Sequence, residues 1–313
     1  MVWQRRGFCF GEIVNGVVVV DKPTGMSSSQ VVQMVKKILR ARKVGHTGTL
    51  DPFATGVLVC CVNQATRLAR FIANGEKHYE AVMRLGIRTD SQDFTGDVLS
   101  HRVITGITEE KIKRLFEGMI GESRQSPPAF SALKHEGKPL YKLARKGVFV
   151  RKSPRQIWVY DMAVMAIDFP FVRFKVVCSP GTYVRTLCDD VGEFLGCGAH
   201  LTELRRTRNG CFSLHEAVTL PVLKALAEKG EVSQCLVSMQ DALTEVPEVR
   251  VGGRIAGKIR HGEPLTEADV GHVNREDAQW VKVTDANRNL VAVLDSRKRE
   301  EVLPYMCVFV NDS

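Results

Sequence analysis

Residues 45 to 56, Gly-His-Thr-Gly-Thr-Leu-Asp-Pro-Phe-Ala-Thr-Gly, hold the chain's densest set of chemistry-bearing residues. Asp51 stands alone there, the only acid between Asp21 and Glu76. Pro52 follows it, and a residue before proline is pushed out of the helical region into an extended conformation. Gly45, Gly48 and Gly56 permit backbone angles that other residues avoid and let another chain approach closely. The expectation is a constrained, irregular loop presenting one carboxylate. Val57-Leu58-Val59-Cys60-Cys61-Val62 reads as a buried strand, so the loop leads straight into rigid structure. A carboxylate held this way suits nucleophilic catalysis; an Asp that merely caps a turn is the bland alternative. Glycoside hydrolysis would want two carboxylates flanking the bond, and the motif offers one. There is no HExxH or HxxxH spacing and the eight histidines are scattered, so no metal is expected. No GxGxxG or Walker loop occurs, so no nucleotide cofactor is expected either.

Several elements must position this loop. Val14 to Val20 is a short apolar strand, followed by turn chemistry in Asp21-Lys22-Pro23-Thr24-Gly25. Ser27 to Ser29 supply an N-cap, and Val31, Met34, Val35 and Ile38 recur at helical spacing. Lys36, Lys37, Arg40, Arg42 and Lys43 crowd the end of that helix. They complement the helix dipole or contact RNA phosphate, two readings of equal weight at this point. Ala65 to Ile72 is a short amphipathic helix, Tyr79 to Leu85 an alternating strand, and Arg88 to Asp93 a polar loop. Thr108 caps a helix whose apolar face is Ile112, Leu115, Phe116 and Met119. Phe171 to Cys178 alternates as a strand, and Gly181 opens a helix to about Phe194. Leu201 to Arg208 lies near a strand or turn, and residues 212 to 245 read as largely helical.

Two stretches differ in texture. Residues 134 to 155 carry eight Lys or Arg against one acid, Glu136, with Phe130, Tyr141 and Phe149 interleaved nearby. A charge run is usually a solvated face, but cations with aromatics suit phosphates and bases. After Pro247 come short strands and Gly-rich turns, the texture of a small β-barrel. The 313 residues make one large domain and a small one. The net charge of +9 points to an anionic partner, nucleic acid first. Nine cysteines without CxxC spacing read as buried hydrophobes in a reducing compartment. No stretch approaches the roughly 20 apolar residues of a membrane helix. Arg5-Arg6 lacks the apolar region of an export signal, so a cytoplasmic protein is expected. Residues 1 to 12 read as a loose extension.

Gly45-His-Thr-Gly-Thr-Leu-Asp-Pro52 resembles the signature of the TruB family of tRNA pseudouridine synthases. Five further segments match in the same order: Val20 to Gly25, Lys77 to Ala81, Pro128 to Lys134, Gly181 to Thr186 and His200 to Arg206. The resemblance implies an α+β fold: a large mixed or antiparallel sheet flanked by helices. It also implies a basic thumb insertion at about 126–155 that clamps the tRNA T-arm, and a small C-terminal PUA-like RNA-binding domain. The expected division is residues 1–246 for the catalytic domain and 247–313 for the small one. The implied activity isomerises the T-loop uridine at tRNA position 55, with no cofactor and no obligate protein partner, by a monomer. This chemistry breaks C1′–N1, turns the base and joins C1′ to C5. It needs a nucleophile or cation stabiliser, a flat surface and a proton acceptor. Extruding the base costs on the order of a few kcal/mol.

By the same resemblance Asp51 is the nucleophile, attacking C1′ or C6 or acting through a glycal path. Arg185 is its guanidinium partner, expected to keep the carboxylate ionised. Tyr79 lies against the uracil and is a candidate acceptor for the C5 proton, though an unperturbed phenol of pKa about 10 needs help to act as a base. Tyr183 and Leu204 line the uracil pocket; plain core packing is nearly as good a reading of Leu204. His46 stacks in the T-loop in place of the flipped base, as aromatic rings do on exposed RNA bases. Lys22 supports the loop geometry or meets phosphate. Remodelling of the tRNA elbow without chemistry is the rival activity. The guide-dependent rRNA-type relatives lack the basic insertion, which argues against them.

Overall fold

The computed structural model describes residues 14–270, 278–297 and 302–310. The expected N-terminal extension and the Arg5-Arg6 pair lie outside these. The chain builds a ten-stranded mixed sheet from β1 (Gly16–Lys22), β2 (Val44–His46), β3 (Thr55–Val62), β4 (Lys77–Leu85), β5 (Gly121–Gln125), β6 (Arg155–Asp168), β7 (Phe171–Cys178), β8 (Ala199–Asn209), β9 (Phe212–Ser213) and β10 (Leu236–Val237). The order is β10-β1-β3-β8-β4-β7-β6-β5, with β2 on β3 and β9 on β8. Only β8 against β3 runs parallel; the other pairs in this sheet are antiparallel.

Burial explains the two kinds of strand sequence. β1 and β3 are covered on both faces. Val17 and Val19 pack with Val57, Val59 and Cys61 on one side. Val18 and Val20 pack with Leu58 and Cys60 against helix α1 (Ser28–Ile38) on the other. Both strands are therefore continuous apolar runs. β7 has one wet face, so buried Val172, Phe174, Val176 and Cys178 alternate with exposed Phe171, Arg173 and Lys175.

Three helices set the site. Ser27 caps α1 in a reciprocal box with Gln30. Thr108 caps α2 (Glu109–Gly118), whose Phe116 meets Phe174 edge-on at 5.5 Å. Helix α3 (Val184–Leu195) lies on β8 so closely that a Cβ on Gly192 would sit 2.1 Å from Ala199 N. Its first residue lacks a side-chain cap of its own; Gln125 of β5 brackets the Tyr183 backbone, accepting from N at 2.8 Å and donating to O at 3.1 Å.

Residues 212–245 are less helical than their composition suggests. One helix, α4 (Leu220–Glu228), is followed by Gly230 at φ 71°, short 3-10 turns and β10. The C-terminal strands β11 (Glu248–Arg250), β12 (Trp280–Thr284), β13 (Leu290–Asp295) and β14 (Tyr305–Val308) form a small sheet in that order. The Gly252 to Arg260 stretch, with its glycine-rich turn texture, instead forms helix α5 (Gly253–Arg260) after its first residue. The small sheet is not a separate bead. Val293, Cys307 and Phe309 share one apolar cluster with Val17 and Val57. Arg67 and Arg70 donate to the carbonyls of Val308 and Met306, and Phe71 meets Trp280 edge-on at 4.8 Å.

Candidate active site

Asp51 sits between β2 and β3 in a loop pinned from three sides. Ser28 at the start of α1 both donates to Leu50 O (3.0 Å) and accepts from Leu50 N (2.8 Å). Lys22, at 0% exposure, donates to the carbonyls of Pro23, Met26 and Pro52 at 2.8, 2.6 and 3.1 Å. Arg206, at 1% exposure, donates to Val57 O (2.8 Å) and Gly48 O (3.0 Å). Gly56 lies in register with Arg206, at φ 100°, and a Cβ there would be 2.2 Å from Arg206 O. Only glycine permits that angle and that approach together.

The Asp51 side chain keeps 31% of its surface exposed, while Arg185 of α3 keeps 4%. Arg185 Nε lies 2.9 Å from Oδ2, and Nη2 donates to Oδ1 at 3.3 Å. The same guanidinium serves a second acid: Nη1 lies 3.4 Å from Asp93 Oδ2 and donates to Ser91 O at 2.8 Å. Nη2 also donates to Phe130 O at 2.8 Å. Asp93 is held by Ser91 Oγ at 2.8 Å and Thr95 N at 2.9 Å. Arg185 thus ties together the Asp51 loop, the 91–95 turn and the base of the basic segment.

The electrostatic balance differs from the sequence expectation. Removal from water is the largest influence on Asp51 and pushes its carboxyl above the usual carboxylate value. Arg185 and Lys22 pull it down, but Asp93 pushes the other way. A shared guanidinium offsets only part of the cost of burial.

Tyr79 on β4 is buried, in register with Arg206. Burial raises its phenol above the ordinary value, against the pull of Arg206, so at neutral pH it carries its proton. Leu204 packs in the same core cluster as Tyr79, Leu50 and Ala54. Tyr183 is half-buried at the start of α3, with Arg155 4.9 Å over its ring. His46, read as part of an irregular loop, is the last residue of β2, and Gly48 N donates to its Nδ1 at 3.3 Å. Burial, reinforced by Arg206, lowers its imidazole below the ordinary histidine value. Of the two expectations for Lys22, loop support or phosphate contact, its place fits the first. It lies beneath the loop with three carbonyl partners, its ammonium lowered to about 8 by burial. Asp93 and Arg206 escaped notice as site residues. Asp93 sat in a polar stretch read as loop; Arg206 belonged to a recognised segment but gave no sign that it would be buried.

The basic segment carries a short hairpin (Lys134–His135 with Lys138–Pro139) and a five-residue helix, Leu140–Ala144. Lys134, Lys138, Lys142, Arg145, Lys146 and Arg151 are exposed, and among the described residues none pairs with an acid. Phe130 and Phe149 meet edge-on at 6.4 Å, and Arg145 lies 5.8 Å over Tyr141.

A family model described as TruB family pseudouridylate synthase (N terminal domain) matches residues 36–184. A second, tRNA pseudouridylate synthase B C-terminal domain, matches residues 185–244. The chain is 45% identical over 259 residues to tRNA pseudouridine synthase B of Geobacter sulfurreducens, covering 83% of this chain and 85% of that protein. It is 42% identical over 264 residues to the protein of the same name from Vibrio parahaemolyticus, covering 82% and 84%. Among solved structures it is similar to a chain of a Cbf5-Nop10-Gar1 complex, with TM-score 0.73, 29% identity and coverage of 94% and 85%. A chain of an H/ACA RNP bound to a substrate RNA containing 2'-deoxyuridine gives TM-score 0.70, 28% identity and the same coverage.

Proposed function

Because the chain belongs to the TruB family of pseudouridylate synthases, we propose that it is the isomerase that converts the T-loop uridine of tRNA, position 55, to pseudouridine. The observation that carries the reading is the carboxylate of Asp51, partly open to solvent and ion-paired to buried Arg185. In this reading Asp51 is the nucleophile at the base–sugar junction. C1′–N1 breaks, the uracil turns while still held, C1′–C5 forms, any bond from Asp51 is released with its electron pair returning to the carboxylate, and the C5 proton leaves for an acceptor while N1 takes up a proton. The net change is isomerisation, so no oxidant or second substrate is used. Tyr79 lies against the uracil with its hydroxyl protonated, and Tyr183 and Leu204 close the pocket. The neutral His46 ring takes the place of the extruded base.

The exposed cations of residues 126–155 clamp the T-arm backbone, and the tie from Phe130 O to Arg185 couples that clamp to the site. Residues 1–246 form the catalytic domain and 247–313 a small PUA-like RNA-binding domain; the enzyme works as a cytoplasmic monomer. No helix among the described residues is long and apolar enough to cross a membrane.

The test is incubation with unmodified tRNA transcript and mapping of pseudouridine. Asp51→Asn is expected to abolish turnover while tRNA binding persists; pseudouridine formed by that variant would falsify the assignment. The same variant separates elbow remodelling from chemistry, because a chaperone activity independent of catalysis survives in it.

A further inference from the structure

We propose that Arg206 is a positioning residue for the base-displacing histidine: acting through the backbone of Gly48, it sets the orientation and tautomer of the His46 ring. The proposal rests on the reading of His46 given above. Arg206 is among the largest fully buried side chains, and among the described residues no acid pairs with it. A buried guanidinium without a counter-ion is costly unless its donors are well spent. Here two go to main-chain carbonyls, Val57 O near the start of the rigid strand and Gly48 O in the loop, and the guanidinium also hydrogen-bonds the Tyr79 hydroxyl, a contact that a His46→Ala background leaves in place.

Gly48 is where the restraint is needed. Glycine leaves the backbone free to turn, so the loop does not fix itself there. On one side of its Cα the carbonyl is held by Arg206 Nη2 at 3.0 Å; on the other its N–H donates to His46 Nδ1 at 3.3 Å. A backbone N–H can only donate. The Nδ1 lone pair must therefore face it, and the ring proton must sit on Nε2. A second proton would set N–H against N–H and add a charge near the Arg206 guanidinium. The arrangement therefore selects a neutral ring, with Nε2–H directed away from Gly48.

Nitrogen-resolved NMR of the free wild-type protein should show His46 as the Nε2–H tautomer near neutral pH. Arg206→Lys keeps the charge but loses the fork that reaches both carbonyls. It should yield a mixture of tautomers and, by release of one such restraint, raise KM for tRNA about tenfold. In a His46→Ala background the same change should raise KM less than about twofold, because residues acting through one another are not additive. An Nδ1–H tautomer in the wild type, or an equal KM penalty in both backgrounds, overturns the proposal. Should Arg206→Lys lose its cooperative thermal transition, the wild-type tautomer decides alone. If His46→Ala changes neither KM nor turnover, the base-displacing reading fails, and the tautomer measurement still tests the link to Arg206.

Discussion

At the scale of single residues, the site is a set of charges placed at odds with one another. Asp51 and Asp93 share Arg185, and burial holds the Asp51 carboxyl above its ordinary value. A carboxyl raised in the folded state holds its proton more tightly there than in the unfolded chain. Its contribution to stability is then present at low pH and lost as pH rises through the folded value. Asp51→Asn removes that loss. The variant should melt no lower than the wild type at neutral pH, with any advantage closing as pH falls to about 4, read from thermal melts across that range. If Asp51 must be ionised to react, kcat/KM should rise with pH through the same raised value. Asp93→Asn withdraws one negative neighbour and should move that acid limb to lower pH; a limb that moves up would contradict the shared-guanidinium arrangement.

At the scale of elements, the loop and the basic segment depend on interactions of different kinds. The Asp51 loop is held by polar ties from β1, α1 and β8. Lys22→Met leaves the carbonyls of Pro23, Met26 and Pro52 without their buried donor. That should cost about 1–3 kcal/mol in denaturant unfolding and lower kcat more than it raises KM. The basic segment presents exposed cations that have no acidic partner among the described residues. Replacing Lys142, Arg145 and Lys146 by Ala should weaken tRNA binding and flatten its salt dependence, by about 0.9 in log–log slope for each phosphate no longer neutralised. Five cations also crowd the end of α1, all exposed. Lys36 and Lys37 lie in its last turn and suit the dipole. Arg40, at φ 49°, Arg42 and Lys43 lie past the helix, where the dipole does not account for them.

At the scale of the molecule, the small C-terminal sheet closes the core of the large one. Phe309 is 1% exposed and shares a cluster with Val17, Val57 and Phe212. Phe309→Ala should cost about 3–5 kcal/mol, and both sheets should unfold in one transition by calorimetry. Two separate transitions would show that the shared cluster does not couple them.

Short-range physics made much of this protein legible from its residues. The capping serine before α1, the threonine before α2, the all-apolar runs of β1 and β3 and the alternation of β7 each follow from neighbours within a few positions. The recognised segments named the acid, its arginine and the tyrosine. Tertiary structure alone decided how those groups meet. Asp51 and Arg185 are 134 residues apart, and Arg206 reaches Gly48 across 158. Whether a cation faces solvent, as at Lys142, or lies buried under a loop, as at Lys22 and Arg206, depends on which strands close over it. The balance that raises Asp51 depends on exclusion of water by distant elements, and no local pattern of residues encodes that quantity.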